Sequence, residues 1–208
     1  MISVFTDGAC SNNGKPNAKA GIGVYFNKGN PRNISKRVIG KQSNNTAELS
    51  AIIEVFDICL DEIINGIKII IYSDSEYSIR CCGEYGLKCS KNGYRNRTGY
   101  IPNHELVKKV YECFEANKNV EIKHIKAHTG LTDELSLGNE GADKLANESI
   151  GSESCPYQKH KYYFHIPYSE KEVGKKYGTK WDVKKKKWYY EGFNTDNNFK
   201  SLINLFPL

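Results

Sequence analysis

ISVFTDGACSNNGKPNAKAGIGVYFNKGN, residues 2–30, contains two short apolar runs set off by stretches of Asn, Gly, Pro and Lys. Residues 2–7 and 20–26 have the look of strands, and SNNGKPNAK and NKGNP carry the residue types that turn a chain back on itself. A third strand is expected over Arg32–Gly40. Connections this short are too brief for a parallel crossover, so the three strands imply an antiparallel meander.

After residue 40 the period changes. Leu49, Ile52, Ile53, Phe56, Cys59, Leu60 and Ile63 recur at helical spacing and predict an amphipathic helix from Asn45 to Ile63. There follow a strand over 68–74, a short helix from residue 75, a polar glycine-rich stretch over 83–103, a helix over 104–117, a strand over 120–127 and a helix over 138–149. Strands first, then alternating helices and strands, predict an α/β domain with helices packed on a mixed sheet.

The chain has 208 residues, 39% of them hydrophobic, which is enough for a packed core. Residues 151–160 read as a linker between a domain over 1–150 and a small appendage over 161–208. The net charge of +6 is uneven: residues 1–150 carry 19 Lys/Arg against 18 Asp/Glu, and residues 151–208 carry 11 against 6. A basic tail of this kind suits a polyanionic partner. No apolar run reaches the roughly 18–20 residues of a bilayer span, and MISVFTDGAC lacks the basic and apolar regions of a signal peptide. Seven cysteines without a CxxC pair suit reduced thiols better than disulfides or zinc. A monomer of the cytoplasm or nucleus, with no membrane partner, is expected.

Four acids stand in distinctive settings: Asp7 in FTDGAC, Glu48 in NNTAEL, Asp74 in IIIYSDSEY and Asp143 in NEGADKLA. Asp7 and Asp74 close apolar strands, while Glu48 and Asp143 lie in the opening turns of helices, so all four can meet at one edge of a sheet. Each also has a purely structural use. Glu48, three residues after Asn45, could complete a capping box; Asp74 could cap a helix starting at Ser75; Asp7 could shape a turn before Gly8; and Asp143 could complement a helix dipole. Together they form an all-oxygen donor set, which points to Mg²⁺ or Mn²⁺ and away from Zn²⁺. Two such ions roughly 3.5–4 Å apart serve both the attacking and the leaving oxygen of phosphodiester hydrolysis.

The order and local wording of these motifs, with KAHTG at 126–130, resemble type 1 ribonuclease H over residues 1–150. The resemblance implies a ribonuclease H-like fold: a five-stranded mixed sheet flanked by helices, whose first three strands are antiparallel and whose last two run parallel to the first. It implies an endonuclease that cuts the RNA strand of RNA–DNA hybrids with two metal ions, leaving 3′-hydroxyl and 5′-phosphate ends. Asp7 would bridge both ions, Glu48 and Asp74 would hold one, and Asp143 the other. His128 matches the family's mobile-loop histidine, thought to assist proton transfer or product departure. Asn13, Ser43, Asn44 and Asn45 match positions that contact the hybrid, whose wide minor groove displays 2′-hydroxyls. Glu76 departs from the pattern, standing where many members carry an amide. Two other readings are a resolvase- or integrase-like nuclease of the same wider fold and a hybrid-binding protein without activity. The KAHTG loop and the order of the acids argue against the first, and the retention of all four acids and the histidine against the second.

Within 83–103, Lys88, Lys91, Arg95 and Arg97 stand among Tyr85, Tyr94 and Tyr100 where the family carries a basic substrate-binding protrusion. Residues 162–190 have a separate pattern: an aromatic strand, a short amphipathic helix (SEKEVGKKYG), a Trp–Asp turn, four lysines and a second aromatic strand. Tyr162, Phe164, Ile166, Trp181, Trp188 and Tyr190 are expected to form a miniature core. The wording resembles a small uncharacterised module found on nucleic-acid enzymes, and its lysines and aromatics suit an extra nucleic-acid contact.

Overall fold

The structure, a computed structural model, describes residues 1–127, 131, 133–151, 160–192 and 197–206. The chain divides into two compact units, Met1–Cys155 and Pro156–Leu208. Residues 152–159, most of the expected linker and the site of Cys155, lie outside the described residues, as does His128.

In the first unit, β1 (Ile2–Ser11), β2 (Lys19–Tyr25) and β3 (Ile34–Arg37) form the meander. Helices α1 (Asn44–Ile58) and α2 (Leu60–Ile64) lead to β4 (Ile69–Ser73), followed by α3 (Glu76–Cys82) and α4 (Glu84–Lys91). A short hairpin, β5 (Arg95–Asn96) and β6 (Gly99–Tyr100), precedes α5 (His104–Ala116), β7 (Val120–His124) and α6 (Glu134–Ser149). The five-stranded sheet has the order β3-β2-β1-β4-β7, with β1, β2 and β3 antiparallel and β4 and β7 parallel to β1. This is the arrangement the resemblance implied.

Alternation along β1 builds two cores. Val4 joins Val24, Leu49, Ile52, Ile69, Ile71, Val107 and Val110 on one face. Phe5 joins Tyr25, Tyr72, Ile125 and Ala142 on the other, under α6. Each fully buried aliphatic side chain stabilises the fold by about 1.5–3 kcal/mol relative to an exposed one.

Several elements differ from expectation. β1 runs on to Ser11, because Asp7 and Gly8 stay in the ladder opposite Gly23 and Ile22. β3 is shorter than expected: the Gln42 side chain accepts from the Ala20 N–H at 2.8 Å, taking the donor that would extend the ladder. The long helix breaks at Cys59, with φ −103° and ψ 24°, into α1 and α2. Residues 84–91, expected to be irregular, form α4; its buried stripe is Gly86 and Cys89, too small to register as an apolar period. α6 starts at Glu134 because the Asp133 side chain accepts from the Ser136 N–H at 3.1 Å and caps it. Its first turn presents Leu135 and Leu137 to solvent, which blurs the amphipathic signal there.

Gly23 lets α6 lie against β2, since a Cβ there would fall on the Ala142 carbonyl oxygen and 2.7 Å from the Ala146 nitrogen. Gly23→Ala is therefore expected to destabilise the fold by about 3 kcal/mol through overpacking. Urea unfolding midpoints check this; an unchanged midpoint would mean that α6 shifts freely.

The second unit contains β8 (His160–Phe164), a 3₁₀ turn (Tyr168–Glu170), α7 (Lys171–Lys176), β9 (Lys180–Asp182), β10 (Lys187–Gly192) and α8 (Asn197–Leu205). Its sheet is antiparallel in the order β8-β10-β9. Phe164, Ile166, Trp188 and Tyr190 form the core with Phe199, Leu202 and Phe206, and Tyr162 packs against it. Trp181, expected inside, is 48% exposed, at the edge of the Trp188 ring. The closing helix α8 supplies the apolar surface instead. Among the described residues, no helix is long and apolar enough to cross a membrane.

Candidate active site

The last β1–β4 pair is Phe5 with Tyr72, and β4 ends at Ser73. β1 therefore outruns β4, leaving Asp7 beside the chain end where Asp74 emerges. On the opposite face from α6, Gly8 allows the backbone of α1 to settle on β1; a Cβ on Gly8 would lie 2.7 Å from the Ala47 carbonyl carbon and overlap the Glu48 nitrogen. That close approach brings Glu48 to Asp7. Asp7, Glu48 and Asp74 each offer a carboxylate oxygen within 4.8 Å of the others. Asp143, buried in α6, is near enough for its charge to act on both Asp7 and Glu48.

Other residues fill the structural jobs these acids could have performed. The N-cap of α1 is Ser43, whose hydroxyl accepts from the Thr46 N–H while the Thr46 hydroxyl accepts from the Ser43 N–H at 3.0 Å. Ser75 caps α3. Asp133 and Glu134 occupy the start of α6, well before Asp143. Asp7 lies inside a strand.

Collecting carboxylates in a buried place is electrostatically costly. Burial pushes the Asp7 carboxyl well above the ordinary carboxylate range, and the charges of Glu48, Asp74 and Asp143 push it further; the Gly8 N–H, donating to Asp7 Oδ1 at 2.7 Å, offsets a part. Glu48 is raised in the same direction, first by burial and then by Asp74, with hydrogen bonds to the Asp7 carboxyl and the Gly8 N–H opposing. Glu48 Oε2 is buried with no hydrogen-bond partner among the described residues. An all-oxygen cluster with mutual repulsion and a buried, unsatisfied oxygen fits a divalent cation.

Two amides missed in the sequence reading hold this cluster. Asn139 Nδ2 donates to Asp74 Oδ2 at 3.0 Å, and Asn147 Nδ2 donates to Asp143 Oδ1 at 2.9 Å. Both amides are 2% exposed. Asn147 lies one helical turn past Asp143, a spacing that could have suggested it; Asn139 stands within the NEGAD motif but reaches Asp74, which spacing within the motif does not reveal. Asn139→Ala is expected to weaken the apparent affinity for the divalent ion by about 10–100-fold, since it frees Asp74 to rotate. Activity measured against metal concentration checks this; an unchanged half-saturation point would make the bond purely structural.

Asn13 lies in the turn after β1, where its Oδ1 accepts from the Asn44 N–H at 3.3 Å. Asn13, Ser43, Asn44 and Asn45 thus gather where that turn meets the start of α1. Glu76 is exposed in the first turn of α3. Of the tyrosines in 83–103, Tyr94 is buried in the core and Tyr85 packs against it. Tyr100 is 55% exposed, stacked on His104 with Arg95 over its ring.

A family model described as RNase H matches residues 1–151, and a second, described as a domain of unknown function (DUF5710), matches residues 161–201. Ribonuclease H1 of Rattus norvegicus is 35% identical over 148 residues, covering 71% of this chain and 49% of that protein. Ribonuclease H of Clostridium botulinum is 30% identical over 151 residues, covering 72% of this chain and 95% of that protein. The chain spans about half the length of its mammalian relatives, at 49% of each. Among solved structures, LC11-RNase H1, isolated from compost by a metagenomic approach, aligns with a TM-score of 0.50 and 26% identity over 73% of this chain and 96% of that one. The PFV RNase H domain aligns with a TM-score of 0.55 over 72% of this chain and 94% of that one; at 21% identity it shows the fold alone. With this sheet order, these converging carboxylates and a family match across residues 1–151, the chain belongs to the RNase H family.

Proposed function

We propose that the chain is an endonuclease that hydrolyses the RNA strand of RNA–DNA hybrids, using two Mg²⁺ ions, or Mn²⁺ in their place, held by Asp7, Glu48, Asp74 and Asp143. The observation that carries this reading is the convergence of Asp7, Glu48 and Asp74, with Glu48 Oε2 buried without a partner among the described residues and helix capping done by other residues. The names of the relatives support the reaction class. When bound, the ions would neutralise charge on the phosphate and favour both the attacking water and the departing oxygen.

The chain's own groups would orient and recognise. Asn139 and Asn147 orient Asp74 and Asp143 by hydrogen bonds, and the Gly8 N–H orients Asp7. Asn13, Asn44 and Asn45 offer amides to the sugar edge and phosphates, beside a Ser43 hydroxyl already engaged as a cap. In the reaction, water adds to phosphorus, the P–O3′ bond breaks, and a proton passes to O3′. His128 is proposed to assist that proton transfer or product departure. His128→Ala is then expected to lower turnover by about 10²–10⁴-fold for a proton carrier, or less for a release role. Single-turnover and multiple-turnover rates separate the two, and rates within about twofold of wild type would leave His128 without a role.

The chain is further proposed to act as a monomer in a reducing compartment of the cell. Free thiols at Cys10, Cys59, Cys81, Cys82, Cys89 and Cys113 accord with the compartment. The decisive experiment is cleavage of matched RNA–DNA, RNA–RNA and DNA–DNA duplexes with and without Mg²⁺. Cleavage confined to the RNA of the hybrid and dependent on metal is expected. Preferred DNA–DNA cleavage would indicate a resolvase-like enzyme, and hybrid binding without cleavage a non-catalytic protein.

A further inference from the structure

The sheet of the second unit has two unlike faces. Phe164, Trp188 and Tyr190 point into its core. Period-two alternation sends their neighbours Tyr163 and Tyr189 to the other face, where Tyr189 pairs with Tyr163 on one side and Lys180 on the other. The result is one cross-strand row of two phenols and an ammonium. The rings are 5.9 Å apart, Lys161 Nζ lies 4.8 Å from the centre of Tyr189, and Lys185 Nζ lies 4.3 Å from that of Tyr163. Both tyrosines are half-buried, neither belongs to the core, and all three lysines are exposed.

The row is also held in place. The Tyr163 hydroxyl donates to Asp182 Oδ2 at 2.9 Å, and Asp182 Oδ1 accepts from the backbone N–H groups of Lys184 and Lys185 at 3.0 Å each. Asp182 therefore fixes both the ring and the lysine turn beside it. The other acid on this face, Glu191, is the cross-strand partner of Lys161. Residues 151–208 as a whole carry 11 Lys/Arg against 6 Asp/Glu, so the charge suits a polyanion.

We propose that this face binds single-stranded nucleic acid, with bases stacked on Tyr163 and Tyr189 and phosphates held by Lys161, Lys180 and Lys185. A phenol row between ammonium groups matches the two needs of an unpaired strand, a surface for the π-face of each base and a cation for each phosphate. In a duplex the base faces are already stacked on one another, so the rings would have nothing to take. The lysines now lying over the rings have flexible stems and swing to phosphate as a base takes the ring face. The proposal stands apart from the nuclease reading and does not depend on it.

The test uses the full chain in EDTA and measures fluorescence anisotropy with short labelled oligo-dT and oligo-rU and with an RNA–DNA hybrid across a salt series. Tyr189→Leu is expected to weaken single-strand binding about tenfold, the loss of one base stack, while Tyr189→Phe stays within about twofold of wild type. The double variant K161Q/K185Q, altered only at exposed positions, is expected to reduce the slope of log affinity against log salt by about 1.4. Hybrid affinity and melting temperature should be preserved in each. Binding of both oligomers, weakened in the variants as stated, upholds the proposal, and binding of one alone, weakened in the same way, upholds it while naming RNA or DNA as the ligand. Absence of single-strand binding by the wild type, unchanged single-strand affinity in both Tyr189→Leu and K161Q/K185Q, or an equal loss toward hybrid and single strand would overturn it. Cleavage of the hybrid in Mg²⁺, measured in parallel, reports on the nuclease reading separately.

Discussion

Asp7→Asn is expected to abolish hydrolysis, with turnover lowered by about 10³-fold or more, equivalent to at least ~4 kcal/mol of transition-state stabilisation. Asp7 faces Glu48 and Asp74 and feels the charge of Asp143, so it is the acid on which the cluster converges. The amide keeps the volume and can still accept from the Gly8 N–H, but it removes the charge that a cation needs. The same change should raise the melting temperature of the metal-free protein, because it removes a carboxyl whose ionisation is opposed by burial and by its neighbours. Activity and stability therefore move in opposite directions. Steady-state rates in Mg²⁺ and thermal melts in EDTA check both halves; near-normal turnover would remove Asp7 from the proposed metal ligands.

The metal-free protein is expected to lose stability as pH rises. Burial, and after it the charges of neighbouring acids, hold Asp7 and Glu48 above the ordinary carboxylate range. The native state thus keeps protons that the unfolded chain has released, and stability falls from the unfolded carboxylate value, about pH 4, up through the raised native values. Each unit of elevation costs about 1.4 kcal/mol above that window. A divalent ion binds only the deprotonated native cluster, so its stabilising effect should grow as pH rises across the same window. Glu48→Gln should flatten the pH dependence in EDTA and reduce the gain from Mg²⁺. Thermal melts from about pH 4 to about pH 8, with and without the ion, measure this. A metal-free stability that climbs across the window would show the acids to be favourably paired instead.

Much of this was legible in the sequence, and the failures have physical causes. The strands of the meander and the helix over Leu49–Phe56 could be read because apolar period reports which side of an element meets the core. Glycine and cysteine in α4 pack tightly without contributing to that signal, so Gly86 and Cys89 hid a helix. The closing helix α8, with Phe199 and Leu202, and Phe206 just after it fill the core in place of Trp181, because burial in so small a unit depends on which elements cover the sheet.

The four acids were legible for a different reason: each stands in a distinctive local setting, in or just after a strand or on a helix. What those settings leave open is whether an acid is free or already occupied. Only the tertiary structure decided that Ser43, Ser75 and Asp133 do the capping and that Glu48 Oε2 is left without a partner among the described residues. It alone joined Asn139 to Asp74 across 65 residues of chain. Composition and periodicity depend on neighbours along the chain, which determined the elements and the candidate acids. Charge, hydrogen bonding and close packing depend on neighbours in space, so Gly8 and Gly23, by letting α1 and α6 approach the sheet, determine where those acids meet.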